Sequence, residues 1–257
     1  VHRGQVLVAC DSAGAHLAVD AVRAMQLDVQ LVWNRSALML LPSGVTKGSG
    51  VRAGLAALGI SPHSAVGVGD AENDHALLQA CELGVAVANA VPALVEHADI
   101  VLAQPDGAGV AGLLGRVARG TESLRSHRRR LLLGTAVDGG RPVTLPASQS
   151  TVLITGRSGS GKSYLTGLLA EQMISQGYSV LLVDPEGDHA ELSALPHTLL
   201  VGGSGRLPDA DELVRLIDQE RSVVLDLSLH HDCDLAGYLG QVHRQLRAHR
   251  GRTGLPH

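Results

Sequence analysis

Short apolar runs alternate along this chain with stretches in which apolar residues recur at helical spacing. Such alternation is typical of a parallel α/β sheet, and it occurs twice. The first half is predicted to hold strands at residues 6–9, 29–33, 37–41, 65–68, 84–87 and 100–102 and helices at residues 16–25, 51–58 and 73–81. The second half is predicted to hold strands at residues 151–155, 180–183, 198–201 and 223–227 and a helix at residues 164–176.

The periodicity fails between about residue 118 and residue 150, where an arginine cluster, a Gly139-Gly140 pair and two prolines occur. We therefore predict a first domain at residues 1–118, a linker at residues 119–150 and a second domain at residues 151–257. The arginines would suit a nucleic acid or a phosphate, but a short charge run is more often a solvated helix face.

Length and composition make several classes of protein improbable for this sequence. A chain of 257 residues is long enough for two domains. The net charge of -4 gives no global attraction to nucleic acid, and an aromatic content of 2% argues against a single-strand binder. Three cysteines without C-x-x-C spacing fit a reducing cytosol. No apolar run approaches the roughly 18 residues of a membrane span, so we expect a cytoplasmic protein without a membrane partner, and the absence of an initiator Met indicates a fragment.

A glycine-rich turn in the second half is the strongest chemical signal. Residues 156–163, Gly-Arg-Ser-Gly-Ser-Gly-Lys-Ser, match the P-loop (Walker A) pattern G-x-x-x-x-G-K-[ST] between a predicted strand and a predicted helix. Glycines let successive backbone N–H groups point at one anion, and the helix N-terminus adds positive potential there. We expect Lys162 to reach the β- and γ-phosphates of ATP and Ser163 to ligate Mg²⁺. The predicted nucleotide-binding residues are Gly156, Ser158, Gly159, Ser160, Gly161, Lys162, Ser163 and Asp184.

Two later strand ends carry acids. Asp184 follows the apolar run at residues 180–183, and Asp226 ends the run at residues 223–225. Each carboxylate would suit the water shell of a metal ion beside the nucleotide, and each would equally suit a cap at the end of its strand.

A P-loop followed about 20 residues later by Asp184-Pro185-Glu186-Gly187-Asp188 resembles the HerA/FtsK-type ATPases, in which D-P-x-G-[DE] holds that place. The resemblance covers about residues 150–257. It implies a P-loop NTPase domain with ATP and Mg²⁺ as ligands, and DNA or a homo-oligomer as partner. That family carries its Walker B acid and catalytic glutamate on a further strand ending in Asp-Glu, and the sequence stops before such a strand. Nucleotide binding is therefore better supported than hydrolysis.

The first half concentrates acids after its predicted strand at residues 65–68. Residues 67–74, Gly-Val-Gly-Asp-Ala-Glu-Asn-Asp, place three carboxylates and an amide within five positions. Such density suits a hard cation, but Asp and Glu also favour a helix N-terminus without any metal.

The surrounding motifs resemble the Cof-type haloacid dehalogenase (HAD) superfamily over roughly residues 4–118. They are P-x-G-V-x-K-G at residues 42–48, G-D-x-x-N-D at residues 69–74, Asn89-Ala90 and Ala98-Asp99. The resemblance implies a Rossmann-like parallel sheet with a remnant of the cap domain. It implies that Lys47 steadies the nucleophile and phosphate, that Asp70 binds Mg²⁺, and that Asn73 and Asp74 support the catalytic site. Its substrate would be a phosphorylated small molecule.

One part of that family's pattern is missing. Those enzymes attack phosphate with the first Asp of a D-x-D-G-[TS] motif on the first strand, and the segment Cys10-Asp11-Ser12-Ala13-Gly14 has Ala13 in place of the second Asp. We expect Asp11 to be a turn residue at the end of the cap remnant. Without the nucleophile the covalent step cannot occur, so this fragment is expected to be inactive as a phosphatase.

Two functions fit these observations. In the first, the full-length protein is a bifunctional cytosolic hydrolase, a Cof-like phosphatase joined to a HerA-like ATPase. In the second, it is a nucleotide-gated binding or regulatory module whose HAD domain is catalytically silent. Flanking coding sequence with D-x-D-G-T upstream would favour the first, and an intact reading frame without it would favour the second.

Overall fold

The computed structural model describes residues 1–120, 124–219, 221–231 and 234–257. The chain divides into two compact units. The first unit comprises residues 1–58 and 64–126, and the second comprises residues 59–63 and 127–257. Each unit holds a parallel sheet, which confirms the α/β class. The division at residues 118 and 150 stays a prediction, and residues 121–123 of the expected linker lie outside the described residues.

The first unit contains an antiparallel and a parallel sheet. Its strands are β1 (His2–Arg3), β2 (Val8–Asp11), β3 (Val29–Asn34), β4 (Ala37–Pro42), β5 (Val66–Gly69), β6 (Leu83–Ala86) and β7 (Ile100–Val101). Its helices are α1 (Ala15–Ala24), α2 (Lys47–Leu58), α3 (His75–Ala80), α4 (Pro92–His97) and α5 (Asp106–Arg119). The antiparallel sheet has the order β1-β2-β4-β3 and includes the segment assigned to the cap remnant, while the parallel sheet has the order β5-β6-β7.

The core of the first unit lies around β6. Every residue of this central strand is buried, as expected for a parallel strand covered on both faces. The core side chains are Leu83, Val85, Val87, Leu102, Leu113 and Leu124. Since β5 and β6 run parallel, the polar residues that follow their carboxyl ends lie at one edge of the sheet.

The second unit is built around a parallel sheet of order β10-β12-β11. Its elements are β8 (Arg130–Thr135), β9 (Pro142–Pro146), α6 (Lys162–Ser175), β10 (Leu181–Asp184), β11 (Thr198–Gly202), α7 (Ala210–Asp218), β12 (Ser222–Asp226) and α8 (Leu235–Thr253). Leu213 and Ile217 of α7 pack with Val223 and Leu225 of β12 in the main core. On the other face, Ala170 of α6 packs against Leu182 and Val224.

An antiparallel hairpin, β8 with β9, occupies part of the expected linker. It is held against the P-loop helix by side-chain amides. Gln172 of α6 accepts from Leu132 N at 2.6 Å and donates to Leu132 O at 3.0 Å. Gln176 donates to Arg130 O at 2.9 Å. Gln172 within α6 and Gln176 at its C-cap thus satisfy outer backbone groups of β8 much as a neighbouring strand would.

The strand predicted at residues 151–155 is wrong. Residues 151–157 lie in no helix or strand, and within the described ranges this segment pairs with none of β10, β11 and β12. A strand needs a hydrogen-bonded neighbour, and an apolar sequence alone does not supply one. Leu153 is accordingly 86% exposed.

Helices long and apolar enough to cross a membrane are absent from the described residues.

Candidate functional sites

The acidic turn of the first unit follows β5 directly. Gly69 ends this strand, and a Cβ at that position would overlap the side chain of Asp74. Glycine therefore lets the turn fold back so closely that Asp74 lies over the strand end. The Asp74 carboxylate accepts hydrogen bonds from Asp70 N at 3.0 Å and Ala71 N at 3.2 Å. These bonds fix the start of the turn, whichever ligand it receives.

Asp74 is 2% exposed and forms an ion pair with Lys47. Burial alone would raise the pKa of its carboxyl. The hydrogen bond from Lys47 and the two backbone N–H donors more than offset that effect, so the pKa lies below its ordinary value. Asp74 is therefore a buried, ionised and fully engaged group.

Lys47 is the first residue of α2, and the packing of α2 on α3 sets its position. A Cβ on the next residue, Gly48, would overlap the backbone carbonyl of Ala76. Only glycine permits this approach, which brings Lys47 Nζ within 3.2 Å of Asn73 Oδ1. The structure thus brings Lys47, Asn73 and Asp74 into direct contact.

Asp70 is held by Arg35, a residue that lies outside both motifs. Arg35 lies in the tight connection between β3 and β4 with a left-handed φ of 53°. Its guanidinium donates to Asp70 Oδ2 at 2.6 Å and to Asn89 O at 3.4 Å. Its backbone N donates to Glu72 Oε2 at 2.8 Å. That donor and the N–H of Glu72 itself hold the pKa of the Glu72 carboxyl below its usual value.

The fit of a magnesium ion rests on Asp70. The described residues contain no cluster of three His, Cys, Asp or Glu side chains able to hold a metal ion. Magnesium commonly keeps several waters and takes one or two carboxylates together with substrate phosphate. The Asp70 side chain is 43% exposed, and it fits such a site as a single protein ligand once Arg35 turns away.

Asp11 lies in a local turn. Its Oδ1 accepts a hydrogen bond from Gly14 N at 2.9 Å, at the end of β2.

The two remaining motif residues, Asn89 and Asp99, form hydrogen bonds with other parts of the first unit. Asn89 exchanges side-chain hydrogen bonds with Asp106 at the start of α5, and Asp99 accepts from Gly84 N at 2.8 Å.

The P-loop of the second unit has the backbone that its glycines allow. Gly159 and Gly161 have φ values of 74° and 86°, in the left-handed region. A Cβ on Gly156 would lie 2.5 Å from Ser160 Oγ. α6 begins at Lys162, and no side chain of the described residues caps its first turn. The first N–H groups of a helix have no intrahelical acceptor, so those of α6 remain available to an anion.

Lys162, Ser163 and Asp184 line one cleft of about 220 Å³. Lys162 Nζ reaches back to donate to Arg157 O at 3.0 Å, across the loop. Asp184 ends β10 and is 2% exposed. Its two carboxylate oxygens accept from Gly187 N at 3.0 Å and His189 N at 2.9 Å.

Asp226 is the partner of Asp184 in the register of β12 with β10. Its Oδ1 accepts from Ser228 N at 2.9 Å, and the hydrogen bonds from Ser228 lower the pKa of its carboxyl. Both acids therefore serve as local caps. Asp184 additionally lines the cleft that contains the P-loop side chains.

Comparison with known proteins finds a similar family for each half of the chain. Residues 25–114 match the haloacid dehalogenase-like hydrolase family, and residues 133–251 match the central domain of helicase HerA. Phosphoglycolate phosphatase 2 of Saccharolobus solfataricus is 36% identical over 117 residues, which are 46% of this chain and 49% of that protein. A phosphoglycolate phosphatase of Sulfurisphaera tokodaii is 36% identical over 90 residues, which are 35% of this chain and 39% of that protein.

The chain thus spans half or less of the length of these two relatives. Among solved structures, a haloacid dehalogenase-like hydrolase from B. subtilis aligns with a TM-score of 0.38 and 24% identity, over 44% of this chain and 40% of that one. Residues 25–114 are thus similar to the haloacid dehalogenase-like hydrolase family, and residues 133–251 are similar to the central domain of helicase HerA.

Proposed function

We propose that this chain is an ATP-binding protein of the cytoplasm that combines a magnesium-dependent, HAD-type phosphatase module with a HerA-like P-loop ATPase. The observation that carries the proposal is the P-loop itself. Two left-handed glycines, Gly159 and Gly161, lead directly into the uncapped start of α6. DNA or a second copy of the chain stays a predicted partner of the second unit.

Three side chains would hold the magnesium nucleotide. Lys162 would exchange its contact with Arg157 O for contacts with the β- and γ-phosphates. The Ser163 hydroxyl would be a protein ligand of Mg²⁺, and Asp184 lies across the same cleft, where a carboxylate can bind the water shell of the metal. The ion, when bound, neutralises phosphate charge. The chain's own contribution is to position that charge and to donate hydrogen bonds from the loop backbone.

The nucleotide assignment is tested by titrating a fluorescent ATP analogue with Mg²⁺ into the wild-type chain and into Lys162→Ala. We expect affinity to fall by about tenfold or more, because a hydrogen bond to a charged group contributes about 1.5–3 kcal/mol. Arg244→Ala, which removes one positive charge from the exposed part of α8, is the matched control and should bind as the wild type does. Equal affinities for wild type and Lys162→Ala would overturn the assignment.

The phosphatase part of the proposal rests on the contact of Lys47 with Asn73 and Asp74 and on the neighbouring carboxylate of Asp70. Lys47 would bind the phosphate of a phosphorylated small molecule, and Asp70 would be the magnesium ligand. Asn73 and Asp74 would orient Lys47. The named relatives are phosphoglycolate phosphatases, and phosphoglycolate is therefore one substrate to test.

A second function, a nucleotide-gated regulatory module with a silent HAD domain, is favoured by one observation. The carboxylate of Asp70 forms an ion pair with Arg35 of the β3–β4 connection. In a regulatory module, the same carboxylate would hold this connection against the acidic turn instead of binding a catalytic metal ion.

Although the first proposal includes a module of the phosphatase type, both proposals predict that these 257 residues alone show no magnesium-dependent phosphatase turnover. The physical reason is that Asp11 is engaged in a turn with Gly14 and no second Asp stands at position 13. p-Nitrophenyl phosphate with Mg²⁺, assayed across a range of pH, is the measurement. Turnover that disappears in Asp11→Asn would contradict the prediction and make Asp11 the nucleophile.

A further inference from the structure

The first unit contains a pocket of about 260 Å³ beside its acidic turn. Its lining includes residues of β3 and β4 and residues at the start of α2 and α3. Lys47 and Asn73, which are in contact with each other, also line it. A ligand bound through Lys47 would therefore extend over the sheet.

The sheet face that lines this pocket is mainly apolar. Val32 pairs with Met39 and Gln30 with Leu41 across β3 and β4, so these four side chains share one face. All four are partly exposed and line the pocket. The opposite face carries Leu38 and Leu40, which pack with residues of α1.

The rim of the pocket carries one fixed carboxylate, that of Glu72. Its Oε2 is held by Arg35 N at 2.8 Å. A second carboxylate or phosphate on a ligand in this pocket would be repelled by the Glu72 carboxylate, which belongs to the same lining. An uncharged body would instead cover the side chains of Val32 and Met39 and remove their apolar surface from water.

We propose that the phosphatase site takes a phosphate monoester whose alcohol part is apolar and carries no carboxylate, with the phosphate at Lys47 and the alcohol part over Val32 and Met39. This inference rests on the proposed phosphatase function and narrows its substrate class. It sets this chain apart from a site shaped for phosphoglycolate, whose alcohol part is short and bears a carboxylate.

The test is calorimetric binding of three probes to the full chain with Mg²⁺: phenyl phosphate, phosphoglycolate and inorganic phosphate. Phenyl phosphate should bind about tenfold more tightly than phosphoglycolate, because burial of part of its ring is favourable by about 25 cal/mol per Å². Phosphoglycolate binding as tightly as phenyl phosphate would overturn the inference.

Two variants and one control test the apolar sheet face and the Glu72 carboxylate separately. Met39→Gln keeps the side-chain length and should weaken phenyl phosphate by about fivefold or more without changing inorganic phosphate. Leu31→Gln, on the other face of β3 and 39% exposed, is the matched control and should change neither. Glu72→Gln should tighten phosphoglycolate alone. This gain of affinity cannot arise from misfolding, and its absence would contradict the role given to Glu72.

The variant Lys47→Ala tests the proposed phosphatase site separately from the proposed substrate class. One outcome is that Lys47→Ala weakens the binding of all three probes, while Met39→Gln and Glu72→Gln leave their relative affinities unchanged. In that case the proposed phosphatase site is retained and the proposed substrate class is wrong. If inorganic phosphate does not bind, or binds equally to Lys47→Ala, the proposed phosphatase site is wrong and the substrate class with it.

Discussion

Asp74 connects the acidic turn of the first unit to α2. It accepts from two backbone N–H groups and pairs with Lys47 while remaining 2% exposed. Asp74→Ala should lower the free energy of unfolding by about 3 kcal/mol, because it leaves buried donors unpaired. Asp74→Asn keeps an acceptor oxygen and should cost about half as much. Urea denaturation of the full chain measures both losses.

Asp20→Ala is the control for those variants, since Asp20 lies exposed on α1. Its substitution should change stability by no more than about 0.5 kcal/mol. A loss as large as that of Asp74→Ala would mean that charge balance, and not the buried hydrogen bonds, sets the stability of the unit.

The motif resemblance implied that Lys47, Asn73 and Asp74 belong to one site, but it named neither the contact of Lys47 with Asn73 nor the contact of Arg35 with Asp70. The three residues could be proposed together because their motifs follow a known pattern. The contact of Arg35 depends on a left-handed φ in the β3–β4 connection and joins residues 35 positions apart. Neither the hydrophobic period nor the motif spacing predicts a contact between side chains so far apart in the sequence. The catalytic and ligand roles of all these residues stay predictions.

At the scale of elements, the approach of α2 to α3 positions Lys47. Gly48→Ala would place a Cβ against the backbone of Ala76, which cannot turn aside as a side chain can. We expect a loss of about 1–3 kcal/mol by overpacking, accompanied by weaker phosphate binding. Chemical denaturation and phosphate titration of the same variant measure the two effects.

Gly54→Ala is the matched substitution in the same helix. A Cβ at Gly54 meets nothing within 4 Å, so the change should stabilise the chain by up to about 1 kcal/mol through helix propensity. If Gly48→Ala behaves as Gly54→Ala does, the close packing of α2 on α3 is not what holds Lys47.

The hydrophobic period located the strands of the two parallel sheets to within two residues, because buried parallel strands are continuous apolar runs. The hydrophobic period did not predict the elements whose formation depends on strand pairing or on polar side chains. Residues 151–155 are apolar but have no partner strand within the described ranges. The β8–β9 hairpin is stabilised by Gln172 and Gln176 of a distant helix. α7 was overlooked although Asp209 and Glu212 form a capping box at its start.

At the scale of the whole molecule, the nucleotide is proposed to bind in the second unit alone. A ligand that binds only the folded form of a unit adds RT ln(1 + [L]/Kd) to its stability, about 2.7 kcal/mol at a hundredfold excess over Kd. For a unit of this size, that gain raises the melting temperature by several degrees. The first unit has no P-loop in its described residues and should melt where it did before.

Differential scanning calorimetry with and without magnesium ATP, on the wild-type chain and on Lys162→Ala, tests this account most directly. We expect two transitions in the wild type, of which one rises by several degrees with the nucleotide, and a smaller rise of that transition in Lys162→Ala. A single cooperative transition that moves as a whole, or an equal shift in Lys162→Ala, would contradict it.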